Sequence, residues 1–126
     1  MEKLIKILLA ENDKNLALIL KSYLTAKGYP TALFHNGAEA LDGFEKECYD
    51  FVILDVVLPG LDGFSLAESI RKIDKDVPIM FLTARSMRSD VSRGFEVGAD
   101  DYVLKPFSMD ELFERIRAIS RRTIFR

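Results

Sequence analysis

Short apolar runs alternate with amphipathic segments along the whole chain. The clearest run is 51–54, where four apolar residues end at Asp55 and a Pro59-Gly60 turn follows. Short apolar runs closed by turn residues are typical of strands that are covered on both faces of a parallel sheet. The pattern predicts five strands, at residues 4–10, 31–34, 51–54, 77–82 and 102–104.

The segments between these strands carry apolar residues at helical spacing and predict five helices. Asp13 and Asn36 are candidate N-caps, and Ser108 with Glu111 three residues later forms an S-x-x-E capping box. Glycines at positions 28 and 98 end two of the helices. The predicted apolar faces, in chain order, are Leu16, Leu20, Tyr23 and Leu24; Leu41, Phe44 and Cys48; Leu66, Ile70 and Ile73; Met87, Val91 and Phe95; and Leu112, Phe113, Ile116 and Ile119.

Strict alternation of strands and helices predicts an α/β fold, in which a doubly wound parallel sheet lies between two helix layers. The 126 residues suffice for one domain with a real core. In such sheets the ligand crevice lies at the carboxyl ends of the strands, here those of strands 1 and 3. Function is therefore expected at Asp55, which follows strand 3 directly.

Composition narrows the class of protein. With 48% hydrophobic residues, 30% charged residues and a net charge of −2, the chain has the composition of a soluble globular domain without a nucleic-acid surface of its own. No apolar run is long enough to span a bilayer, and the N-terminus does not have the pattern of a signal peptide. The single cysteine, Cys48, fits a cytoplasmic location, and we interpret it as a packing thiol.

Polar side chains follow four of the predicted strands. Carboxylate and amide oxygens are suited to Mg²⁺, and a hydroxyl and an ammonium group are suited to the oxygens of a phosphoryl group. A carboxylate can also be the nucleophile that forms a covalent phosphoryl intermediate. Each residue alone has an ordinary explanation as a helix-start or surface charge, but their occurrence at one sheet edge favours a site. The residues are Glu11, Asn12 and Asp13 after strand 1, Asp55 after strand 3, Thr83 after strand 4 and Lys105 after strand 5.

Several motifs together identify a resemblance over nearly the whole chain. The stretch VILDVVLPGLDG around Asp55, the pair Thr83-Ala84, the aromatic Tyr102 and the triplet 105–107 resemble the receiver domain of a two-component response regulator. The resemblance implies a flavodoxin-like sheet of order 2-1-3-4-5, with two helices on one face and three on the other. It also implies that Asp55 is the phosphoacceptor and that the proline after Lys105 is usually cis.

The same resemblance implies a mechanism. A partner histidine kinase supplies the phosphoryl group, and Mg²⁺ is held by Asp55, Asn12, the backbone carbonyl of Val57 and, through water, Glu11. Lys105 neutralises developing charge, Thr83 moves to the phosphoryl group and Tyr102 turns inward. The family usually carries Asp where this chain has Asn12, which brings one charge fewer to the metal.

The stretch GADDYVLKPFSMDELFERIRAISRR resembles the OmpR/PhoB group, whose receivers precede a DNA-binding domain. It implies a receiver at 1–122, the start of a linker at 123–126 and a role in transcription regulation rather than enzymatic turnover. A stand-alone receiver is the alternative. On phosphorylation we expect a two-fold dimer through helix 4, strand 5 and helix 5, in which Asp100 and Asp101 of one copy meet Arg115 and Arg122 of the other.

Three other functions agree less well with the sequence. A degenerate receiver that never takes phosphate is favoured only by Asn12. A haloacid-dehalogenase phosphatase needs a second Asp where Val57 stands, and a flavodoxin would not place the acidic stretch 11–13 against phosphate. His35 follows strand 2, and we interpret it as a surface residue away from the site.

Overall fold

The computed structural model describes residues 4–123 and contains one parallel sheet of five strands, flanked by five helices. The order β2-β1-β3-β4-β5 confirms the predicted doubly wound, flavodoxin-like topology. The strands are β1 (Ile7–Ala10), β2 (Thr31–Phe34), β3 (Phe51–Leu54), β4 (Ile79–Thr83) and β5 (Asp101–Leu104); the helices are α1 (Lys14–Ala26), α2 (Gly37–Lys46), α3 (Gly63–Ile73), α4 (Arg88–Glu96) and α5 (Met109–Thr123).

The sheet is covered on both faces, which is why its strands are apolar throughout. In β1, Leu8 and Ala10 face the layer formed by α2, α3 and α4, whereas Ile7 and Leu9 face α1 and α5. Every residue of β1, β3 and β4 is buried. The expected division of two helices on one face and three on the other is confirmed.

Side-chain caps begin the helices where the sequence predicted them. Asp13 accepts hydrogen bonds from first-turn amides of α1 at 3.0 and 3.1 Å, and Asn36 accepts one in α2 at 2.8 Å. Ser108 accepts from the Glu111 amide at 3.0 Å, but the Glu111 side chain pairs with Arg115 at 3.0 Å. The structure therefore shows the N-cap contact of the predicted capping box, while the Glu111 carboxylate is engaged further along α5.

Some predicted helix faces are wrong. Cys48 lies beyond the end of α2 and is exposed, so it is not a packing thiol. Ile73 is 52% exposed, and Met87 and Phe95 are 69% and 48% exposed. Ile73 is the last residue of α3, Met87 is the N-cap of α4 and Phe95 is the last residue but one of α4, so all three exposed residues lie at helix ends.

The strand ends also differ slightly from the prediction. Strand β4 begins at Ile79 rather than Val77, because Pro78 has no N–H to donate to the ladder. Helix α5 extends through Thr123, where the sequence predicted the start of a linker, and residues 124–126 lie outside the described part of the chain. None of the helices within residues 4–123 is long and apolar enough to cross a membrane.

Arg71 joins three segments at the sheet edge opposite Asp55. Its guanidinium donates to the carbonyl oxygen of Gly98 at 2.8 and 3.1 Å, and also to the carbonyl oxygens of Val77 and Asp74. It also contacts the Asp100 carboxylate at 3.2 Å, which accepts from the Ile79 amide at 2.9 Å. One half-buried cation thus ties the end of α3 to the start of β4 and to the turn before β5.

Candidate functional site

The carboxyl ends of β1, β3 and β5 bring three charged side chains together. Lys105 Nζ lies 2.8 Å from Glu11 Oε1 and 2.8 Å from Asp55 Oδ2. The strands run parallel and in register, with Ala10 opposite Leu54, so the residues that follow them meet at one edge. The expected convergence at this edge is confirmed for these three side chains.

Burial controls the electrostatics of this triad. The side chains of Glu11 and Asp55 are only 2% and 9% exposed. Burial raises the pKa of Glu11 above its ordinary value, and the Asp55 charge adds to this, although Lys105 and the Asp13 amide oppose it. Two carboxylates share this buried position because one ammonium group lies between them.

Lys105 remains charged despite its burial. Burial acts to lower the pKa of Lys105, but hydrogen bonds to Asp55 and Glu11 outweigh it and raise the pKa above its ordinary value. Because the pKa of Lys105 is higher in the folded than in the unfolded state, its charge stabilises the fold fully below the unfolded pKa of about 10.4. This stabilisation is lost only as the pH rises above that value. The ammonium therefore compensates the carboxylates throughout the physiological range.

Further contacts fix the carboxylates and leave a donor available. Asp55 Oδ1 accepts from the Val57 amide at 3.1 Å, and Glu11 Oε2 accepts from the Asp13 amide at 3.0 Å. An ammonium group has three N–H donors, and the two carboxylates occupy two of those on Lys105. The third can donate to an anion that enters the site.

Thr83 and Tyr102 are linked through a single residue, Arg85. The buried Thr83 hydroxyl accepts from the Arg85 amide at 3.3 Å, and the Tyr102 hydroxyl donates to the Arg85 carbonyl oxygen at 2.7 Å. The Tyr102 ring packs on Phe81 with 5.8 Å between ring centroids, and its burial raises the pKa of the hydroxyl to about 12. We expected the ring to turn inward upon phosphorylation, and in this structure it is already inward.

A cleft of about 470 Å³ opens between helix α4 and the loop that follows Asp55. Val57 and Arg85, which lie two residues after Asp55 and Thr83, form part of its wall, together with Ser89 and Arg93. Val57 is 48% exposed. The cleft therefore gives solvent and small solutes access to the loop that directly follows Asp55.

The profile of the response regulator receiver domain matches residues 7–117, which include every residue of this site. This chain belongs to the response regulator receiver family. It is 47% identical over 122 residues to the transcriptional regulatory protein RprY of Bacteroides fragilis, covering 97% of this chain and 52% of that protein. It is 40% identical over 117 residues to the transcriptional regulatory protein PcoR of Escherichia coli, covering 93% and 52%.

The structural comparison agrees. A two-component response regulator from Clostridium difficile superposes with a TM-score of 0.91 at 31% identity, covering 95% of this chain and 98% of that one. The relatives are OmpR/PhoB-type regulators, as the sequence indicated. The receiver spans about half the length of the curated relatives that it matches.

The donor set of the receiver is compatible with Mg²⁺. Within residues 4–123 there is no cluster of three or more His, Cys, Asp or Glu side chains that could hold a metal ion. Mg²⁺ needs fewer, because it is usually bound by one or two carboxylates together with waters and phosphate oxygens. Glu11 and Asp55 supply the carboxylates, and the exposed Asn12 follows Glu11 directly.

His35 lies nearer the site than we predicted. Its Nδ1 is 3.2 Å from the backbone carbonyl oxygen of Glu11, and the side chain is half-buried. Strand β2 pairs with β1, and the Glu11 amide bonds to the Phe34 carbonyl, so the residue after β2 reaches the same edge. The interpretation that places His35 away from the site is wrong, although its half-buried side chain is still partly at the surface.

Three of the four residues predicted for a dimer already have partners within the chain. Arg115 Nη1 contacts both carboxylate oxygens of Asp101 at 3.0 Å, and Asp100 is bound by Arg71. Arg122 is exposed on α5. The intermolecular contacts stay a prediction, and any such contact of Asp100, Asp101 or Arg115 would have to share or replace the present one.

Proposed function

We propose that this receiver is a phosphorylation-activated switch, in which Asp55 accepts a phosphoryl group from a partner histidine kinase. The observation that carries the proposal is the Asp55 carboxylate at the end of a buried strand, held 2.8 Å from the Lys105 ammonium. The Thr83 hydroxyl at the end of the adjacent strand adds a donor for a phosphoryl oxygen. Such preorganised donors stabilise phosphoryl transfer mainly by electrostatics and positioning.

The transfer is a displacement at phosphorus. A carboxylate oxygen of Asp55 forms a new O–P bond as the P–N bond to the kinase histidine breaks, and the electron pair of that bond returns to the imidazole ring. Lys105 donates to a phosphoryl oxygen with its remaining N–H, and Thr83 donates with its O–H. Both groups bind the extra negative charge after transfer, so they favour the phosphorylated state.

Mg²⁺ would be held at this site by Glu11, through water, and by Asn12, Asp55 and the backbone carbonyl of Val57. When bound, the cation supplies positive charge that offsets the repulsion between the carboxylates and the phosphoryl oxygens. The fit of the donor set supports this assignment, although Asn12 contributes only a neutral amide oxygen.

The test of the proposed function is the intact mass of the receiver after incubation with acetyl phosphate and Mg²⁺. We expect a mass increase of one phosphoryl group. An unchanged mass would instead favour the degenerate receiver, a binding module that does not take phosphate.

Asn12→Asp is expected to tighten Mg²⁺ binding by about ten-fold. One more carboxylate charge near a divalent cation contributes about 1–2 kcal/mol at a high effective dielectric constant. Calorimetric titration of the wild type and the variant with Mg²⁺ measures the change. Asn15→Asp adds the same charge on the first turn of α1 and is the matched control, with a much smaller effect expected. Equal affinities for wild type and Asn12→Asp would show that position 12 does not contact the metal.

The phosphorylated receiver is expected to persist for minutes to hours. Hydrolysis needs a water molecule oriented toward phosphorus, and the side chain beside Asp55 in the cleft, Val57, has no polar atom to orient it. Loss of the phosphoryl mass after removal of acetyl phosphate measures the lifetime. Val57→Gln, which adds a polar group at the same exposed position, should shorten it. Decay of the wild type within seconds, without a phosphatase, would contradict this expectation.

We further propose that the receiver regulates transcription through a DNA-binding domain that follows it in a longer protein. The support is that the relatives are named transcriptional regulators and are about twice as long as this chain. A regulator of that kind acts in the cytoplasm and is a switch rather than a turnover enzyme. The receiver itself then contacts a kinase and a second copy of itself, not nucleic acid or membrane.

Phosphorylation is expected to promote dimerisation through α4, β5 and α5. Phe95 and Leu104 are 48% and 43% exposed and lie on α4 and β5, where they can supply apolar contact. Light scattering with and without beryllofluoride and Mg²⁺ measures the dimer fraction, which should rise with the mimic. Phe95→Ala should weaken the dimer, whereas Ile73→Ala, an equally exposed change on α3, should not. A mimic-bound protein that stays monomeric at high concentration would exclude this interface.

A further inference from the structure

Helix α4 is attached to the rest of the receiver by a narrow contact. Gly94 is the one buried residue among the nine of this helix, and the N-cap residue Met87 makes no side-chain capping bond. Glycine is a poor helix former, so helix stability does not explain its presence inside this short helix. The explanation is steric, because another side chain occupies the position that a Cβ atom on Gly94 would take.

The ring of Tyr102 occupies that space. A Cβ atom built on Gly94 would lie 2.7 Å from Tyr102 Cδ2 and 2.9 Å from Tyr102 Cε2, closer than carbon atoms approach without displacement. It would also lie 3.3 Å from Phe81 Cδ2. The close approach of α4 to β5 is therefore compatible with an inward Tyr102 only when position 94 has no side chain.

The ring cannot yield by a small shift. Phe81 packs on it with 5.8 Å between ring centroids, and the hydroxyl is held by the Arg85 carbonyl oxygen at 2.7 Å. The aromatic ring is rigid, so relief of a clash requires either rotation of the whole ring toward solvent or displacement of α4. Rotation would break the hydrogen bond from the Tyr102 hydroxyl to the Arg85 carbonyl oxygen. Because the Arg85 amide donates to the Thr83 hydroxyl, a shift of Arg85 would also disturb Thr83.

We propose that Gly94 is a positioning residue of the switch, which permits the inward orientation of Tyr102 and so couples that orientation to the seating of α4. A side chain at position 94 should turn the ring outward, without any contact between residue 94 and the phosphorylation site. The consequence for signalling rests on the proposed function, because only a phosphorylated Asp55 would use this coupling. The expected effect of a side chain at position 94 on the orientation of the Tyr102 ring does not depend on the proposed function.

The first experiment measures the ring in the unmodified protein. Uniform labelling with 3-fluorotyrosine gives ¹⁹F signals from the four tyrosines, and the signal lost in Tyr102→Phe identifies Tyr102. The solvent isotope shift of that signal between H₂O and D₂O reports the exposure of the ring. We expect a small shift in the wild type and a clearly larger shift in Gly94→Ala. If the solvent isotope shift of the Tyr102 signal in Gly94→Ala equals that of the wild type, the proposal is overturned.

The matched control is Ser92→Ala, which makes a comparable change in helix propensity on the exposed side of the same helix. It should leave the Tyr102 signal unchanged. An equal change in the control would show that the signal follows helix stability rather than contact, and this would also overturn the proposal.

The second experiment measures the coupling. Beryllofluoride with Mg²⁺ should bind Gly94→Ala several-fold more weakly than the wild type, because part of the binding energy must first return the ring to the inward position. In a Tyr102→Val background, Gly94→Ala should cause no further loss, since the clashing ring is absent. An equal loss in both backgrounds would show that the effect does not pass through Tyr102.

The two experiments separate the two proposals. If the wild type binds no beryllofluoride, the proposed function fails while the ¹⁹F result still decides the role of Gly94. If Gly94→Ala does not fold, the double variant with Tyr102→Val should fold, and a double variant that is equally unfolded would overturn the proposal.

Discussion

Asp55→Asn is expected to abolish phosphorylation of the receiver by acetyl phosphate and Mg²⁺. The amide that replaces the carboxylate is a neutral and much weaker nucleophile. Within residues 4–123, no other carboxylate combines a strand end with the Lys105 ammonium and the Thr83 hydroxyl. Glu11 also contacts Lys105, but its side chain is almost fully buried and its oxygens are engaged by Lys105 and the Asp13 amide. Intact mass spectrometry should show one added phosphoryl group in the wild type and none in the variant.

Asp62→Asn is the matched control for this experiment. Asp62 lines the cleft between α4 and the loop after β3, and it caps α3 by accepting from the Ser65 amide at 3.0 Å. Asparagine is an equally good N-cap. The control variant should fold normally and become phosphorylated like the wild type. Full labelling of Asp55→Asn, or loss of labelling in Asp62→Asn, would place the phosphoacceptor elsewhere.

Arg71→Ala is expected to lower the free energy of unfolding by about 3 kcal/mol, or roughly 10 °C in melting temperature. The side chain is only 18% exposed, and its removal leaves the Gly98 and Val77 carbonyl oxygens and the Asp100 carboxylate without their charged donor. These groups lie in turns that join α3 to β4 and α4 to β5, so water can replace only part of the lost hydrogen bonding. Urea denaturation followed by circular dichroism measures the change.

Lys72→Ala supplies the comparison, since Lys72 is the next residue on α3, also basic, and exposed. Its removal should change stability by no more than about 0.5 kcal/mol. Arg71→Lys should recover only part of the loss, because an ammonium group cannot match the fork of the guanidinium across three segments. Similar stabilities for Arg71→Ala and Lys72→Ala would show that the hydrogen bonds of Arg71 contribute little.

The fold and the central triad could be predicted because they depend on repeated, local patterns. Five apolar runs alternating with amphipathic segments leave few arrangements other than a doubly wound parallel sheet. Residues that directly follow parallel strands must meet at one edge, so Glu11, Asp55 and Lys105 could be brought together without knowledge of their side-chain positions. The N-caps Asp13, Asn36 and Ser108 could also be predicted, since a cap acts on the amides of its own helix.

The contact partners of individual side chains could not be predicted in this way. The pairing of Asp101 and Arg115 between two copies stays a prediction, but the sequence did not show that they also pair within one chain. They do so where Val103 of β5 and Ile116 of α5 lie in the same hydrophobic cluster. His35 was placed away from the site, because the sequence does not show how closely the end of β2 follows the end of β1. The predicted apolar face of α4 was wrong because Gly94 is the one buried residue of that helix.

The sequence by itself determined the order of the elements, the edge of the sheet at which the proposed phosphorylation site lies and the kinds of groups present there. The tertiary structure decided which groups touch: Lys105 between two buried carboxylates, Arg85 between Thr83 and Tyr102, and Gly94 against the Tyr102 ring. The physical reason is the separation along the chain over which each kind of interaction acts. Periodicity and capping act between residues close in the chain, whereas ion pairing, burial and steric fit depend on atomic distances between segments that are far apart in sequence.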